Sequence, residues 1–185
     1  EMMQQLNSMD HYIDEDVQVL DLPYGDGRFS MTFIRPAGDQ PINDFVDQYL
    51  TAQNLNKWIG DMQNDTVKFY VPKLELEYEA ILNNYLIAMG MPAAFSPSAA
   101  DFSGISTASQ LFISSVLHKT YVKMDEVGTE AAGVTAVELG ITSVIEPTYP
   151  IIQLNRSYLM VLREKESSAI LFIGKIGHPV AAIAD

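Results

Sequence analysis

An α+β domain dominated by strands is the fold class this sequence predicts. Three observations lead there. Several short segments alternate apolar and polar residues, which is strand periodicity. Two segments, around Phe45 and around Tyr85, instead place apolar residues three and four apart, as helices do. The 185 residues carry no repeat and no linker, and they suffice for one domain with a core.

The elements follow in order. Residues Glu1 to Asp16 are polar and Met-rich, with no firm period. Val17 to Leu20 reads as a short strand. Tyr24-Gly25-Asp26-Gly27-Arg28 is a tight turn, because Asp-Gly tolerates the left-handed backbone that hairpins need. Phe29, Met31 and Phe33 alternate with Ser30 and Thr32, which predicts a strand with one covered face. Ile42, Phe45, Val46 and Tyr49 fall at helical spacing, capped near Asn43. Leu55, Trp58 and Ile59 continue that helix or form a second one, with Gly60 as a stop. Trp58 reads as core.

Thr66 to Tyr78 is strand-like, with Pro72 forcing an edge, a bulge or a bend. Glu79 to Met89 reads as a helix covering Ile81, Leu82, Tyr85, Leu86 and Met89, closed by Gly90. Met91 to Gly104 is a loop. Leu111 to Met124 is a long strand candidate whose middle carries Ser114, His118 and Thr120 on one parity. Leu159–Leu162 and Ile170–Ile173 predict a buried hairpin around the charged turn Arg163 to Ala169.

Composition narrows the function. Eleven Lys and Arg against 24 Asp and Glu give a net charge of −13, so no overall positive field exists to draw nucleic acid. Cysteine is absent, which excludes disulfides and thiol chemistry. No apolar run approaches the length of a spanning helix. The first residues have neither the basic start nor the apolar core of a signal peptide, and a start inside a longer chain would look the same.

No catalytic signature is present. His11, His118 and His178 stand in no metal-ligand spacing, no calcium loop occurs, and neither a phosphate-binding glycine motif nor a GxSxG elbow is found. No enzyme activity, metal or cofactor is expected. His118 has a structural reading, as a hydrogen-bonded histidine in a strand layer, and a general-base reading that lacks a nucleophile.

The segment from Glu126 to Ser143, EVGTEAAGVTAVELGITS, is unusual. Its odd positions are Thr129, Ala131, Gly133, Thr135, Val137, Leu139 and Ile141; its even ones are Glu130, Ala132, Val134, Ala136, Glu138, Gly140 and Thr142. Successive strand residues face opposite ways, so the odd face is free of charge and the even face holds both glutamates. The small side chains suit a segment that slides between strands already in place. An ordinary surface loop with accidental alternation fits as well.

Val116 to Gly133, VLHKTYVKMDEVGTEAAG, closely resembles the hinge region of the serpins, a family of protease inhibitors. So do Leu22-Pro23-Tyr24-Gly25 with Phe29-Ser30-Met31, Val71-Pro72-Lys73-Leu74, Asp101 to Ile105, and REKESSAILFIGKIGHP from Arg163 to Pro179. These ordered blocks run through nearly the whole chain. The resemblance implies the serpin fold, here as the C-terminal part (1–185) of a single serpin domain, with hinge and reactive-centre loop at 126–156. It implies strands with unpaired edges and apolar faces left uncovered, and the N-terminal part of the same serpin as a partner.

Function follows from the resemblance as an expectation. A target protease, serine or possibly a cysteine enzyme, cuts the exposed loop; the cut loop enters the main sheet and the acyl-enzyme is trapped. A non-inhibitory serpin-like binder or carrier is the alternative. The hinge maps to Glu126, Gly128, Thr129, Glu130, Ala131, Ala132, Gly133, Val134 and Thr135. Lys73 matches the lysine that pairs with the hinge glutamate, and His118 a histidine that controls sheet opening. Two departures are Gly133 and Val134, where inhibitory members usually carry alanine. The hinge count puts the reactive bond at Thr142-Ser143; counting back from Arg156 and Ser157 points nearer Glu146. No Lys or Arg lies between Glu126 and Arg156, so trypsin-like targets are disfavoured. Self-association by loop insertion, a bacterial source and an extracellular or cell-surface location complete the expectations.

Overall fold

The computed structural model describes residues 2–107, 110–125 and 149–179. They form two compact units, one of the described residues up to 74 and from 124 onward, and one of those between 75 and 123.

The first unit is built on a seven-stranded sheet in the order β7-β4-β1-β2-β3-β8-β9. Its strands are β1 (Met2–Ile13), β2 (Val17–Tyr24), β3 (Phe29–Pro36), β4 (Gln63–Pro72), β7 (Ile151–Gln153), β8 (Tyr158–Glu164) and β9 (Ile170–Ile176). Neighbours are antiparallel except β4 and β7, which run parallel.

β1 corrects the reading of Glu1 to Asp16 as aperiodic. Its burial alternates: Met3, Gln5, Asn7, Met9 and His11 turn inward, while Met2, Gln4, Leu6 and Ser8 are exposed. The inward set mixes amides, a histidine and methionines, so polarity did not reveal the period. Pairing along β4 from Met2↔Pro72 to His11↔Gln63, and with β2 at residues 10–13, holds the strand. His11 is buried and its Nδ1 lies 2.9 Å from the Met9 carbonyl oxygen.

The turn joining β1 and β2 is organised by Asp14. Its Oδ1 accepts from the backbone N–H of Asp16 and Val17 at 2.9 and 2.8 Å, and its Oδ2 from the Tyr12 hydroxyl at 2.8 Å. Burial alone would raise the Asp14 pKa. The hydrogen bonds from Tyr12, Asp16 and Val17 and the charge of Lys57 outweigh it, so the pKa lies below its usual value. A depressed carboxylate stabilises the fold above its unfolded pKa, and that stability is lost as pH falls through the folded value. Asp14→Ala is expected to cost about 1–2 kcal/mol at neutral pH. Urea unfolding as a function of pH should show the difference from wild type shrinking below pH about 4.

The β2–β3 turn is as predicted. Gly25, Asp26 and Gly27 all have positive φ (53°, 56° and 81°), the conformation that Asp-Gly sequences tolerate. β3 departs from the prediction of one covered face: Ser30, Met31, Thr32, Phe33 and Ile34 are all buried. One face packs under two helices, α1 (Ile42–Tyr49) and α2 (Ala52–Gly60). Val17, Val19, Ile34, Leu159 and Val161 meet Ile42, Phe45 and Trp58 there. The Phe45 ring stacks on Trp58 with centroids 6.1 Å apart. Each fully buried side chain of this size contributes about 1.5–3 kcal/mol. On the other face lie Leu20, Leu22, Phe33, Tyr158 and Met160, with the Phe33 and Tyr158 rings edge to face at 5.9 Å. Leu22 lines a cavity together with Met3 of β1 and Phe69 and Val71 of β4.

The two helices α1 and α2 form where the sequence predicts them, with different ends. α1 has Pro41 at its N-cap with no capping side chain, rather than a cap near Asn43. α2 is a separate helix capped by Thr51, whose hydroxyl accepts from the Asn54 N–H at 3.1 Å. The hairpin β8–β9 forms, but the predicted apolar run of β9 is not buried: Ile170, Leu171 and Ile173 are exposed, while Ile176 at its end is buried.

The second unit carries a two-stranded sheet of β5 (Leu74–Ile81) and β6 (Leu117–Met124), a short helix α3 (Asn83–Ala88) and a 3-10 turn at Ala93–Phe95. The predicted helix Glu79 to Met89 is corrected: β5 continues to Ile81, and the helix keeps only six residues. Ile81, Tyr85 and Met89, expected to be covered, are exposed. The predicted strand from Leu111 shrinks to Leu117–Met124.

Candidate functional site

The segment 126–148, with every predicted hinge residue from Glu126 to Thr135 and the bond Thr142-Ser143, lies outside the described residues. What the structure shows is how the chain enters and leaves it. β6 ends at Met124, two residues before the hinge, and β7 begins at Ile151.

The entry strand is clasped by Asn83. Its Nδ2 donates to the Ser114 carbonyl at 2.9 Å, its Oδ1 accepts from the Val116 N–H at 2.8 Å, and Leu82 N–H donates to Val116 O at 2.9 Å. These contacts satisfy backbone groups that precede β6 and set where it starts. Lys119 pairs with Glu79 at 2.6 Å and the Tyr121 hydroxyl donates to Glu75 at 3.0 Å, so alternate residues on one face of β5 and β6 are joined by polar contacts. Strand alternation puts His118 on the opposite face. His118 is exposed and has no hydrogen-bond partner among the described residues. Leu76 and Tyr78, of the opposite parity to Glu75 and Glu79, are also exposed. The expected uncovered apolar face is therefore present on this sheet.

Lys73 occupies the single residue between β4 and β5 and is partly buried. The bend predicted at Pro72 is here a change of sheet: β4 belongs to the seven-stranded sheet and β5 to the two-stranded one. The Glu126 partner expected for Lys73 lies outside the described residues.

The exit strand is anchored more firmly than its three residues suggest. Ile151, Ile152 and Gln153 pair with Lys68, Phe69 and Tyr70. Lys68 N–H donates to Pro150 O at 3.0 Å and Leu154 N–H to Tyr70 O at 2.9 Å. Ile152 and Leu154 are buried. Arg35 adds a side-chain tie: its Nη1 donates to the Gln153 carbonyl at 2.9 Å and to Gln18 Oε1 at 3.1 Å. Neither Asn83 nor Arg35 stood out in the sequence. The partners of Asn83 lie 31 to 33 residues away and those of Arg35 17 and 118, at separations that local pattern does not sense. Among the described residues no cluster of three metal-ligating side chains occurs, and no helix is long and apolar enough to cross a membrane.

Known proteins share this arrangement. A family model described as serpin (serine protease inhibitor) matches residues 1–179. Intracellular coagulation inhibitor 2 of Tachypleus tridentatus is 36% identical over 178 residues, spanning 95% of this chain and 43% of that protein. Serpin B13 of Homo sapiens is 33% identical over 183 residues, spanning 97% of this chain and 46% of its own length. Among solved structures, thyroxine-binding globulin in complex with thyroxine superposes with a TM-score of 0.79 at 30% identity, covering 96% of this chain and 46% of that one. The chain spans less than half the length of these relatives. With a family match over nearly its whole length and the same strand framework as its solved relative, the chain belongs to the serpin family.

Proposed function

We propose that this chain carries the bait loop and its two flanking strands in a protease inhibitor that works by loop cleavage and insertion. The family is one of inhibitors rather than catalysts. The observation that carries the proposal is the uncharged odd face of residues 129–141, set between β6 and β7 in a chain of this family. After cleavage, that face becomes buried and its backbone becomes paired, and both changes favour insertion. Further segments of the same protein cover the apolar surfaces of β9 and of the β5–β6 sheet. The share of the relatives' length that the chain spans supports this. Lys73 and Glu126 restrain the hinge, and His118 contributes to control of sheet opening. The bond Thr142-Ser143 suits serine proteases with small or mid-sized primary pockets, acting at an extracellular or cell-surface site.

A carrier function is the second reading. It is favoured by the likeness to thyroxine-binding globulin with bound thyroxine. Mixing the full-length protein with elastase-like, subtilisin-like, papain-like and trypsin-like proteases separates the two. The expected result on denaturing gels is a covalent band at the summed mass with the elastase-like or subtilisin-like enzyme. Mass spectrometry should find a released peptide that begins at Ser143. Clean cleavage with no such band, across proteases and ratios, would overturn inhibition and leave the carrier reading.

A further inference from the structure

Arg35, besides tying down the exit strand, sits in an unbalanced electrostatic setting. Both groups it donates to are neutral, the Gln18 amide and the Gln153 carbonyl. Its Nε is buried and has no partner among the described residues. A second guanidinium, Arg156, stands close enough to act on it: burial first, then the charge of Arg156, disfavours the protonated form of Arg35. Arginine does not give up its proton in proteins, so the repulsion is carried by the fold.

The two arginines line one cavity of about 220 Å³ together with Gly38, Asp39, Gln40 and Ser157. Asp39 is the one acidic residue lining it. It pairs with Arg156, and both side chains are largely in water, at 83% and 55% exposed. A solvent-exposed pair of this kind is weak and exchangeable. Two cations thus face one loosely held anion. Pro41, the N-cap of α1, also borders the cavity, and no side chain caps that helix. The positive end of the helix adds to the same field, offset in part by Asp44 in its first turn.

We propose that this cavity binds a small tetrahedral oxyanion, phosphate or sulfate, between Arg35 and Arg156. Guanidinium groups match such anions in shape and charge; Arg35, with Nη1 given to Gln18 and Gln153, has Nη2 left for the ion. The volume is below that of ordinary sites for drug-sized ligands, roughly 300 Å³ and above, and leaves room for a small ion with water. The net charge of −13 repels anions at long range, so binding is local and weakened by salt. An ion here would neutralise the Arg35–Arg156 repulsion. Because Arg35 holds the Gln153 carbonyl, it would also firm the corner where the chain leaves the reactive-centre segment.

The test uses full-length protein, calorimetric titration with sodium phosphate and with sodium sulfate, and thermal unfolding at matched ionic strength in chloride. The expected result is saturable binding of both ions with Kd on the order of 1 mM, and a melting temperature that rises with ion concentration. Arg156→Gln, at an exposed position that should leave folding intact, is expected to weaken binding at least about tenfold, the loss of one charge-assisted contact. Asp39→Asn, which frees Arg156, is expected to tighten it by several fold. Arg35→Gln should weaken it as Arg156→Gln does. No binding beyond that of chloride, or phosphate binding unchanged in both Arg156→Gln and Asp39→Asn, would overturn the site.

Discussion

Thr129→Arg in the full-length protein is expected to turn inhibitor into substrate. In the proposed function Thr129 opens the odd set, which faces inward on insertion, so an arginine there must be buried unpaired or the loop must stop. Leaving a charge buried without a partner costs several kcal/mol, and about 1.4 kcal/mol already changes a ratio of rates tenfold. The number of inhibitor molecules consumed per trapped protease is therefore expected to rise by at least about tenfold, with cleaved product replacing the covalent band. Glu130→Arg, one residue on and of opposite parity, keeps its charge in solvent and is expected to stay near wild type. Titration of protease activity against inhibitor, with gels of the same mixtures, reads both. Equal effects of the two substitutions would refute the strand parity on which the proposed function rests.

Asp21→Ala is expected to produce the largest loss of stability. Asp21 on β2, Thr32 on β3 and Arg163 on β8 form a buried polar cluster on the face that α1 and α2 cover further along. Arg163 Nη2 donates to Asp21 Oδ2 at 3.0 Å, Arg163 Nε to Thr32 Oγ1 at 3.0 Å, and Thr32 Oγ1 to Asp21 Oδ1 at 2.5 Å. The Arg163 and Asp21 side chains are 5% and 1% exposed. Lys165 lies 3.5 Å from Asp10 and 3.8 Å from Asp21, a further cation at the edge of the cluster. Removing the carboxylate leaves Arg163 buried without its counter-charge, at a cost of about 3–5 kcal/mol. The variant Asp21→Leu/Thr32→Val/Arg163→Met removes both charges and the hydroxyl that bonds them, and is expected to lie within about 1 kcal/mol of wild type. Chemical unfolding of wild type and the two variants compares the losses. A single-variant loss below about 1 kcal/mol would show that water reaches and solvates Arg163.

The sequence by itself determined the elements whose chemistry is local. The Asp-Gly turn at residues 24–28 was legible because only a few residue types accept positive φ. Strand β3, helices α1 and α2, the core position of Trp58 and the hairpin β8–β9 were legible because their apolar residues repeat at the period of the element. The family resemblance was legible because its motifs are spaced along nearly the whole chain, and the family match covers the same span. The hinge and the scissile bond were read from that resemblance and lie outside the described residues.

Only the tertiary structure decided the rest, since the deciding partners are remote in sequence. β1 is a strand because two neighbours pair with it, although its inward residues include Gln5, Asn7 and His11. Glu79 to Ile81 continue β5 beside β6, where pairing outweighs the helical spacing of Ile81, Leu82 and Tyr85. Burial of both faces of β3, against exposure of β9, depends on what packs over each strand, which alternation cannot state. The Asn83 clasp, the Arg35 tie and the Asp21–Thr32–Arg163 cluster join residues 11 to 142 positions apart. Periodicity carries the geometry of one element, whereas hydrogen bonds and ion pairs between elements exist only once the chain has folded.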